Sequence, residues 1–542
     1  MMPRLQLILL LLAAALPAAA QAPAEEPFSE EIQVSVVNLD VFVADKGGKP
    51  LEGLKAEDFE VLEDGRPVKV TNFFHERRPA APATTAGKAA AKVDDRPLDR
   101  RLRLVVFVDD VNTEPGSRGR ILDRLSGFLR HELTSGDEVM LVRYAQGLDV
   151  RRSFTSDLGL IDADLTALGN QSSDLRQYQA SLEHAYEDIA AALEGDSSGP
   201  VIEGRLRAWA DQEGAAVKGA LQALDNVVSW LAGVPGRKAI LYVSDGLALT
   251  PGQDLFTQFS QGNTGPSHTV SGMTTKELDL TRHFRAVTSH ASRNRIAFYP
   301  IEVFNTGITR GSSTQSVRVN ERQNGLRFLA EDTGGRALIN AASPLTALQL
   351  VEQDFTSYYS LGYTPDRPGD EAEHKIEVRV KVRGAQARYR QWYRDKPTGE
   401  AVAERTLAVM RFGPEDNPLG ASLEIRPARE QDGALLVPVR VKVPIAKLYL
   451  QPGEKARTGR LRLYVVASGE GVTTPVKETK VVTVELPDAA AGSPREYVHD
   501  VGIPLKPGRW AIGVAVRDEL AAATSYLRKE LRVPGAEGAA RR

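Results

Sequence analysis

The chain lacks cysteine altogether in its 542 residues. Disulfides, thiol catalysis and thiolate metal sites are therefore excluded. A large excess of charge of one sign is missing as well, since 68 basic residues face 71 acidic ones and leave a net charge of −3. Without a strong field there is no reason to expect nucleic acid as a partner. No H-E-x-x-H motif occurs, and no G-x-S-x-G elbow surrounds Ser244 at the end of an apolar run, so we predict that the protein is not an enzyme.

Long hydrophobic runs are scarce, and the one near the N-terminus is short. Arg4 precedes the apolar stretch Leu5–Leu16, and small residues follow at Ala18–Ala22. This order of a basic, an apolar and a small-residue region predicts a secretory signal peptide over residues 1–22, with an N-terminal membrane anchor as the alternative. We therefore expect an exported protein, periplasmic or extracellular, with no integral membrane segment after signal cleavage.

The remaining chain is long enough for several domains. Alternation of apolar and polar residues predicts a small β unit over 28–77, in which Glu63-Asp64-Gly65 marks a hairpin turn. An Ala/Pro/Thr-rich linker follows over 78–100. About 50 residues are few for an independent core, so we expect this β unit to pack against a neighbour.

Alternating strand and helix patterns over 101–395 predict a doubly wound α/β domain. After it, short β-like runs separated by Pro/Gly turns predict a C-terminal β-sandwich-like domain over 400–535. The predicted fold class is thus α/β, with a β unit on either side.

Two apolar runs in the α/β region stop at aspartate, in the segments Leu102–Thr113 and Gly236–Gly246. Continuous apolar runs of this length are typical of strands buried in a parallel sheet. Ligands of such sheets lie just beyond the carboxyl ends of the strands. Because hard cations prefer oxygen ligands, two carboxylates at that edge predict a divalent cation site.

This arrangement resembles the von Willebrand factor type A (vWA) domain. The supporting segments are VFVDDVNT at 106–113, PGRKAILYVSDG at 235–246, LAEDTGGRAL at 329–338 and SYYSLGYTPD at 357–366. More narrowly, the chain is similar to the vWA-related proteins of the Acidobacterial type. The resemblance implies a Rossmann-like fold and a metal-ion-dependent adhesion site built from a D-x-S-x-S loop, a threonine and a further aspartate.

The first loop allows two assignments of its cation ligands. Counting alternate positions from Asp109 leads to Val111, which has no side-chain oxygen, and then to Thr113. Counting from Asp110 leads to Asn112 and gives oxygen at each position, but the loop is then acidic. The resemblance favours Asp109 with Thr113, and Asn112 is a substitute ligand.

On the other two loops, Thr155 is the predicted hydroxyl ligand and Asp245 the predicted second carboxylate. Ser172 and Ser173 are alternatives to Thr155. The implied cofactor is Mg²⁺ or another divalent cation, and a partner protein would bind it through an acidic side chain.

The predicted function is therefore protein binding. One alternative is an envelope scaffold with a degenerate, metal-free site, in which the same aspartates engage Arg or Lys. Another is a hydrolase with a carboxylate pair, which no spacing supports.

Overall fold

The computed structural model describes residues 36–77, 101–113, 115–133, 136–171, 187, 191, 199–262, 277–302, 313–339, 344–366, 370–413, 416–431, 434–453, 456–469, 475–487 and 495–534. The predicted signal peptide (1–22) and linker (78–100) lie outside these residues, as do the first residues of the predicted N-terminal β unit.

Strands and helices alternate in the middle of the chain, and strands predominate at both ends. The strands are β1 (Val37–Ala44), β2 (Phe59–Glu63), β3 (Arg66–Val68), β4 (Val70–Arg77), β5 (Leu102–Asp109), β6 (Glu138–Tyr144), β7 (Leu148–Thr155), β8 (Arg237–Ser244), β9 (Ile296–Glu302), β10 (Ser357–Tyr363), β11 (Glu373–Val380), β12 (Gln386–Arg388), β13 (Trp392–Arg394), β14 (Ser422–Ile425), β15 (Arg429–Gln431), β16 (Ala434–Pro444), β17 (Ala456–Gly469), β18 (Val476–Pro487), β19 (Glu496–Pro504), β20 (Gly508–Asp518) and β21 (Ala523–Val533). The helices are α1 (Pro115–Glu132), α2 (Leu158–Gly169), α3 (Gly199–Leu231), α4 (Gln253–Gly262), α5 (Thr281–Arg293), α6 (Ser313–Thr333), α7 (Pro344–Thr356) and α8 (Thr398–Phe412).

The central sheet has the strand order β7-β6-β5-β8-β9. Strands β6, β5, β8 and β9 run parallel to one another, whereas the edge strand β7 is antiparallel to β6. Every residue of β5 and of β8 is buried. The continuous apolar runs in the sequence predicted this burial, because helices cover both faces of the sheet.

The two faces of this sheet have separate cores. One core packs α1, α2 and α7 against alternate residues of β5, such as Leu104 and Val106. The other packs α3, α5 and α6 against the intervening residues, such as Val105 and Phe107. The α/β fold class is therefore confirmed. In the described part of the chain, no helix has the length and apolar character that crossing a membrane requires.

The N-terminal β unit is completed by strands that come later in the chain, after the strands and helices of the α/β region. Strand β1 pairs with β10 and β12, and β2 pairs with β11. The two resulting sheets, β12-β1-β10-β4 and β13-β11-β2-β3, share one hydrophobic core. The α/β domain therefore ends before the predicted boundary at 395, because the last strands of the predicted α/β region belong to this sandwich. The short N-terminal strands could not enclose a core by themselves.

The C-terminal part forms a second sandwich. Strands β14, β15, β16 and β19 make one antiparallel sheet, and β17, β18, β20 and β21 make the other. Valines and leucines of both sheets fill the space between them, as the alternating pattern of these strands predicts. Helix α8 packs on the second sheet, where Gly513 allows the backbone of Thr406 to come close to β20.

Candidate functional site

The structure places the carboxyl ends of β5 and β8 side by side. Val108 pairs with Val243 in the parallel ladder, so Asp109 ends β5 next to Ser244 at the end of β8. The backbone N–H of Asp245 then donates to the carbonyl oxygen of Asn112 at 2.9 Å. The two aspartate-bearing loops are thus in direct contact at one edge of the sheet.

The carboxylate of Asp109 is fully buried and accepts four hydrogen bonds from the protein. Its Oδ1 accepts from the backbone N–H groups of Val111 and Asn112, both at 3.1 Å. Its Oδ2 accepts from the side-chain amide of Asn112 at 2.8 Å and from the hydroxyl of Tyr242 at 2.5 Å. A carboxylate offers about four lone-pair positions, so these donors use its acceptor capacity.

Burial dominates the electrostatics of this carboxylate. Desolvation raises the pKa of Asp109 to about 6, although the hydrogen bonds from Tyr242 and Asn112 oppose the rise. Burial beside Asp109 also raises the pKa of Tyr242 well above its ordinary value, so this phenol stays protonated and remains a donor. Asp109 is therefore held as the acceptor of a local hydrogen-bond network.

The neighbouring carboxylate of Asp110 is neutralised by two arginines. Arg118 on α1 donates from Nη1 to Oδ1 at 2.6 Å, and Arg143 on β6 donates from Nε to Oδ2 at 2.5 Å. The Arg118 side chain is completely buried and also donates to the carbonyl oxygen of Gln171. The alternative first ligand of the predicted cation site is thus the centre of a buried ion-pair network.

Two glycines bring helix α6 up to this edge. Gly246 has a φ of +115°, and a Cβ there would lie 2.7 Å from Cβ of Arg322. A Cβ at Gly325 would lie 2.0 Å from the carbonyl oxygen of Leu247. Only residues without a side chain permit such close backbone approach. The approach is fixed by a hydrogen bond of 3.1 Å from the N–H of Leu247 to the carbonyl oxygen of Arg322.

The guanidinium of Arg322 consequently bridges the two loops. It donates from Nε to the carbonyl oxygen of Asp245 at 3.3 Å and from Nη2 to that of Asn112 at 3.4 Å. Its Nη1 lies 4.0 Å from Oε1 of Glu213 on α3. A fixed positive group thus joins the loops between which the resemblance implies a metal ion. Because its carboxylate is saturated by protein donors, Asp109 itself is a poor ligand for a divalent cation.

The two predicted hydroxyl ligands occupy different places. Thr113 is buried at this edge, and its Oγ1 donates to the carbonyl oxygen of Val243 at 3.3 Å. Thr155 pairs with Val139 at the start of β6, whereas Asp109 pairs with Tyr144 at the end of that strand. Five residues of strand separate the two positions by about 16 Å. The structure therefore does not bring Thr155 to the site.

Sequence reasoning missed the residues that fill this edge: Tyr242, Arg118, Arg143 and Arg322. Tyr242 lies two residues before Ser244 on the same strand, and a polar hydroxyl inside an apolar run is a signal that could have identified it. The three arginines come from different elements of the fold. No spacing in the sequence relates them to the aspartates.

No family model and no curated protein matches the chain. An aerotolerance-related membrane protein from Bacteroides fragilis is similar in structure, with 12% identity, a TM-score of 0.23 and coverage of 47% of this chain and 98% of that one. For BatB from Bacteroides thetaiotaomicron the identity is 11%, the TM-score 0.22 and the coverage 47% and 96%. For the minor pilin PilB from Streptococcus sanguinis the identity is 10%, the TM-score 0.23 and the coverage 48% of this chain and 64% of that one. TM-scores of this size do not establish a shared fold.

Proposed function

We propose that this chain is an exported vWA-type protein that binds a protein partner at the carboxyl edge of the five-stranded sheet, without a metal ion. The observation that carries the metal-free part is the saturation of Asp109, whose two oxygens accept four hydrogen bonds from protein donors. A cation at Asp109 would have to displace at least one of these donors.

The chemistry of the edge suits an acidic side chain of the partner. Arg143 and Arg322 keep 18% and 13% of their side chains exposed there. A guanidinium binds a carboxylate directly through parallel N–H groups, so it can replace a metal ion in this role. The site would then act as a socket in which guanidinium groups bind the carboxylate of the partner.

The metal-free part is tested by thermal unfolding in MgCl₂ and in MnCl₂. We expect the same Tm with and without millimolar metal, because ligand binding to the folded state would raise it. Asp109→Ala and Asp245→Ala should not alter this lack of response. A rise in Tm with Mg²⁺ that Asp109→Ala abolishes would instead support the cation-dependent form of the adhesion hypothesis.

Partner binding is tested by affinity capture with the mature chain, with and without EDTA. A partner that is retained in EDTA, and bound at least tenfold more weakly by Arg322→Gln, is the expected result. Arg124→Gln, an exposed substitution on α1, is the matched control and should bind normally. Capture that EDTA eliminates, or that Arg322→Gln leaves unchanged, would contradict the proposal.

A further inference from the structure

A second group of carboxylates, in the N-terminal sandwich, surrounds a buried histidine. Nδ1 of His374 on β11 lies 2.8 Å from Oδ2 of Asp64 and 3.7 Å from Oε1 of Glu63 at the end of β2. One side-chain ligand atom from each of these residues lies within 4.8 Å of the others. The His374 side chain is only 7% exposed.

The hairpin turn after β2 sets the position of Asp64. Asp64 and Gly65 have φ values of 49° and 78°, as the Asp-Gly pair of a type I′ turn requires. The backbone N–H of Asp64 donates to the carbonyl oxygen of Lys375, and Oδ1 of Asp64 accepts from the N–H of Lys375, both at 2.9 Å. These two bonds leave Oδ2 directed at His374.

The opposite side of the imidazole is held by a third carboxylate. Nε2 of His374 lies 3.0 Å from Oδ1 of Asp370, which also accepts from the N–H of Ala372 at 3.0 Å. A histidine that binds a metal through one nitrogen commonly donates its other N–H to a carboxylate, which fixes the ring. Asp370 is positioned for this supporting role.

Glu63 provides an independent indication that a ligand belongs here. Its side chain is 9% exposed, and its Oε2 has no hydrogen-bond partner among the described residues. Burial raises its pKa above the ordinary value. The hydroxyl of Tyr363 is near enough to oppose this rise in pKa as a donor to Glu63, but the described residues place no donor within 3.5 Å of Oε2. The buried hydroxyl of Tyr393 lacks a hydrogen-bond partner within the described structure and interacts with the charge of Glu63. An unsatisfied buried carboxylate oxygen is costly, and a bound cation would remove that cost.

We propose that Glu63, Asp64 and His374 bind one Zn²⁺ ion per chain, and that this ion ties the β2–β3 hairpin to β11. One imidazole nitrogen and two carboxylate oxygens form a ligand set that zinc accepts, whereas Mg²⁺ prefers oxygen alone. Ligand atoms about 2.0–2.1 Å from a tetrahedral zinc lie about 3.3 Å apart, close to the separations around Nδ1. This inference does not depend on the proposed function.

The test is zinc titration of the full mature chain after chelation, followed by calorimetry and by metal analysis of the gel-filtered protein. We expect one zinc per chain and a zinc-dependent rise in Tm that equal MgCl₂ does not give. Glu63→Gln should weaken zinc binding at least tenfold. The matched control is Glu60→Gln on the same strand, whose exposed carboxylate pairs with Arg379 and should have no effect.

The supporting role of Asp370 gives a second measurement. Asp370→Asn should weaken zinc binding about 10- to 100-fold, as is usual for partners of metal-binding histidines. Asp109→Ala should still bind one zinc, which would show that zinc binding does not depend on the site at the sheet edge. Absence of stoichiometric zinc in the wild-type chain, or equal affinity in Glu63→Gln, would overturn the proposal and leave His374 as a protonated partner of the carboxylates.

Discussion

The two buried carboxylates Asp109 and Glu63 lie in different domains and differ in what surrounds them. Burial raises the pKa of both. Asp109, however, accepts four hydrogen bonds, whereas Glu63 keeps one oxygen without a partner in the described structure. The comparison teaches that the capacity of a carboxylate for a cation depends on which donors already fill its lone pairs. A count of acidic residues does not reveal it.

The neighbouring cations differ in the same way. Arginines of α1, β6 and α6 supply fixed guanidinium groups at the sheet edge. In the sandwich, the group that forms an ion pair with Glu63 among the described residues is the imidazole of His374. An imidazole can exchange its proton for a metal ion, whereas a guanidinium remains charged. The predictions below test this difference, from the largest expected effect to the smallest.

Removing Arg118 should have the largest effect. Arg118→Ala takes away a fully buried guanidinium from Asp110, which is itself 3% exposed. Breaking a buried ion pair from one side costs about 3–5 kcal/mol. Urea unfolding should show a loss of this order. Arg124→Ala on the exposed side of the same helix should change stability by less than about 0.5 kcal/mol, and equal losses in both variants would refute the network.

The pH dependence of stability should reveal the burial of Asp109. Because its pKa is about 6 in the folded chain and about 3.9 in an unfolded one, the folded state binds more protons in this window. Its stability should therefore fall as the pH rises from about 4 to about 6, by roughly 2 kcal/mol. The difference between wild type and Asp109→Asn isolates this component in urea melts with EDTA. A difference of opposite sign would mean that the fold favours the ionised form of Asp109, and it would contradict the effect of burial.

The approach of α6 should be sensitive to a single methyl group. Gly325→Ala would place a Cβ 2.0 Å from the carbonyl oxygen of Leu247, and such overpacking costs about 1–3 kcal/mol. Gly127→Ala in α1 is the matched control, because nothing lies within 4 Å of its added Cβ. The control should stabilise the chain by about 0.5–1 kcal/mol. The same sign in both variants would contradict the packing described for α6.

The smallest effect is expected at Thr155. Its Oγ1 accepts a hydrogen bond of 3.0 Å from the N–H of Asp157, which caps α2. Thr155→Ala should cost no more than about 0.5 kcal/mol, whereas Asp157→Ala should cost about 1 kcal/mol through loss of the cap. If Thr155→Ala changed partner binding, Thr155 would belong to the binding site after all.

Local pattern predicted much of the α/β fold. Strands β5 and β8 lie within the two apolar segments identified from the sequence, Leu102–Thr113 and Gly236–Gly246. Strand β7 was missed because its residues Leu148–Thr155 include charged and exposed positions, as an edge strand allows. Without β7 in the prediction, Thr155 was assigned to the wrong edge of the sheet.

The sequence by itself determined the buried strands, the turn at Asp64-Gly65 and the aspartates at the strand ends, because each follows from residues close together in the chain. Only the tertiary structure decided what surrounds those aspartates. Arg322 reaches Asp245 across 77 positions, and His374 reaches Asp64 across 310. Contacts between such distant segments depend on how the sheets and helices pack, and they determine whether a carboxylate is saturated or can still accept a ligand.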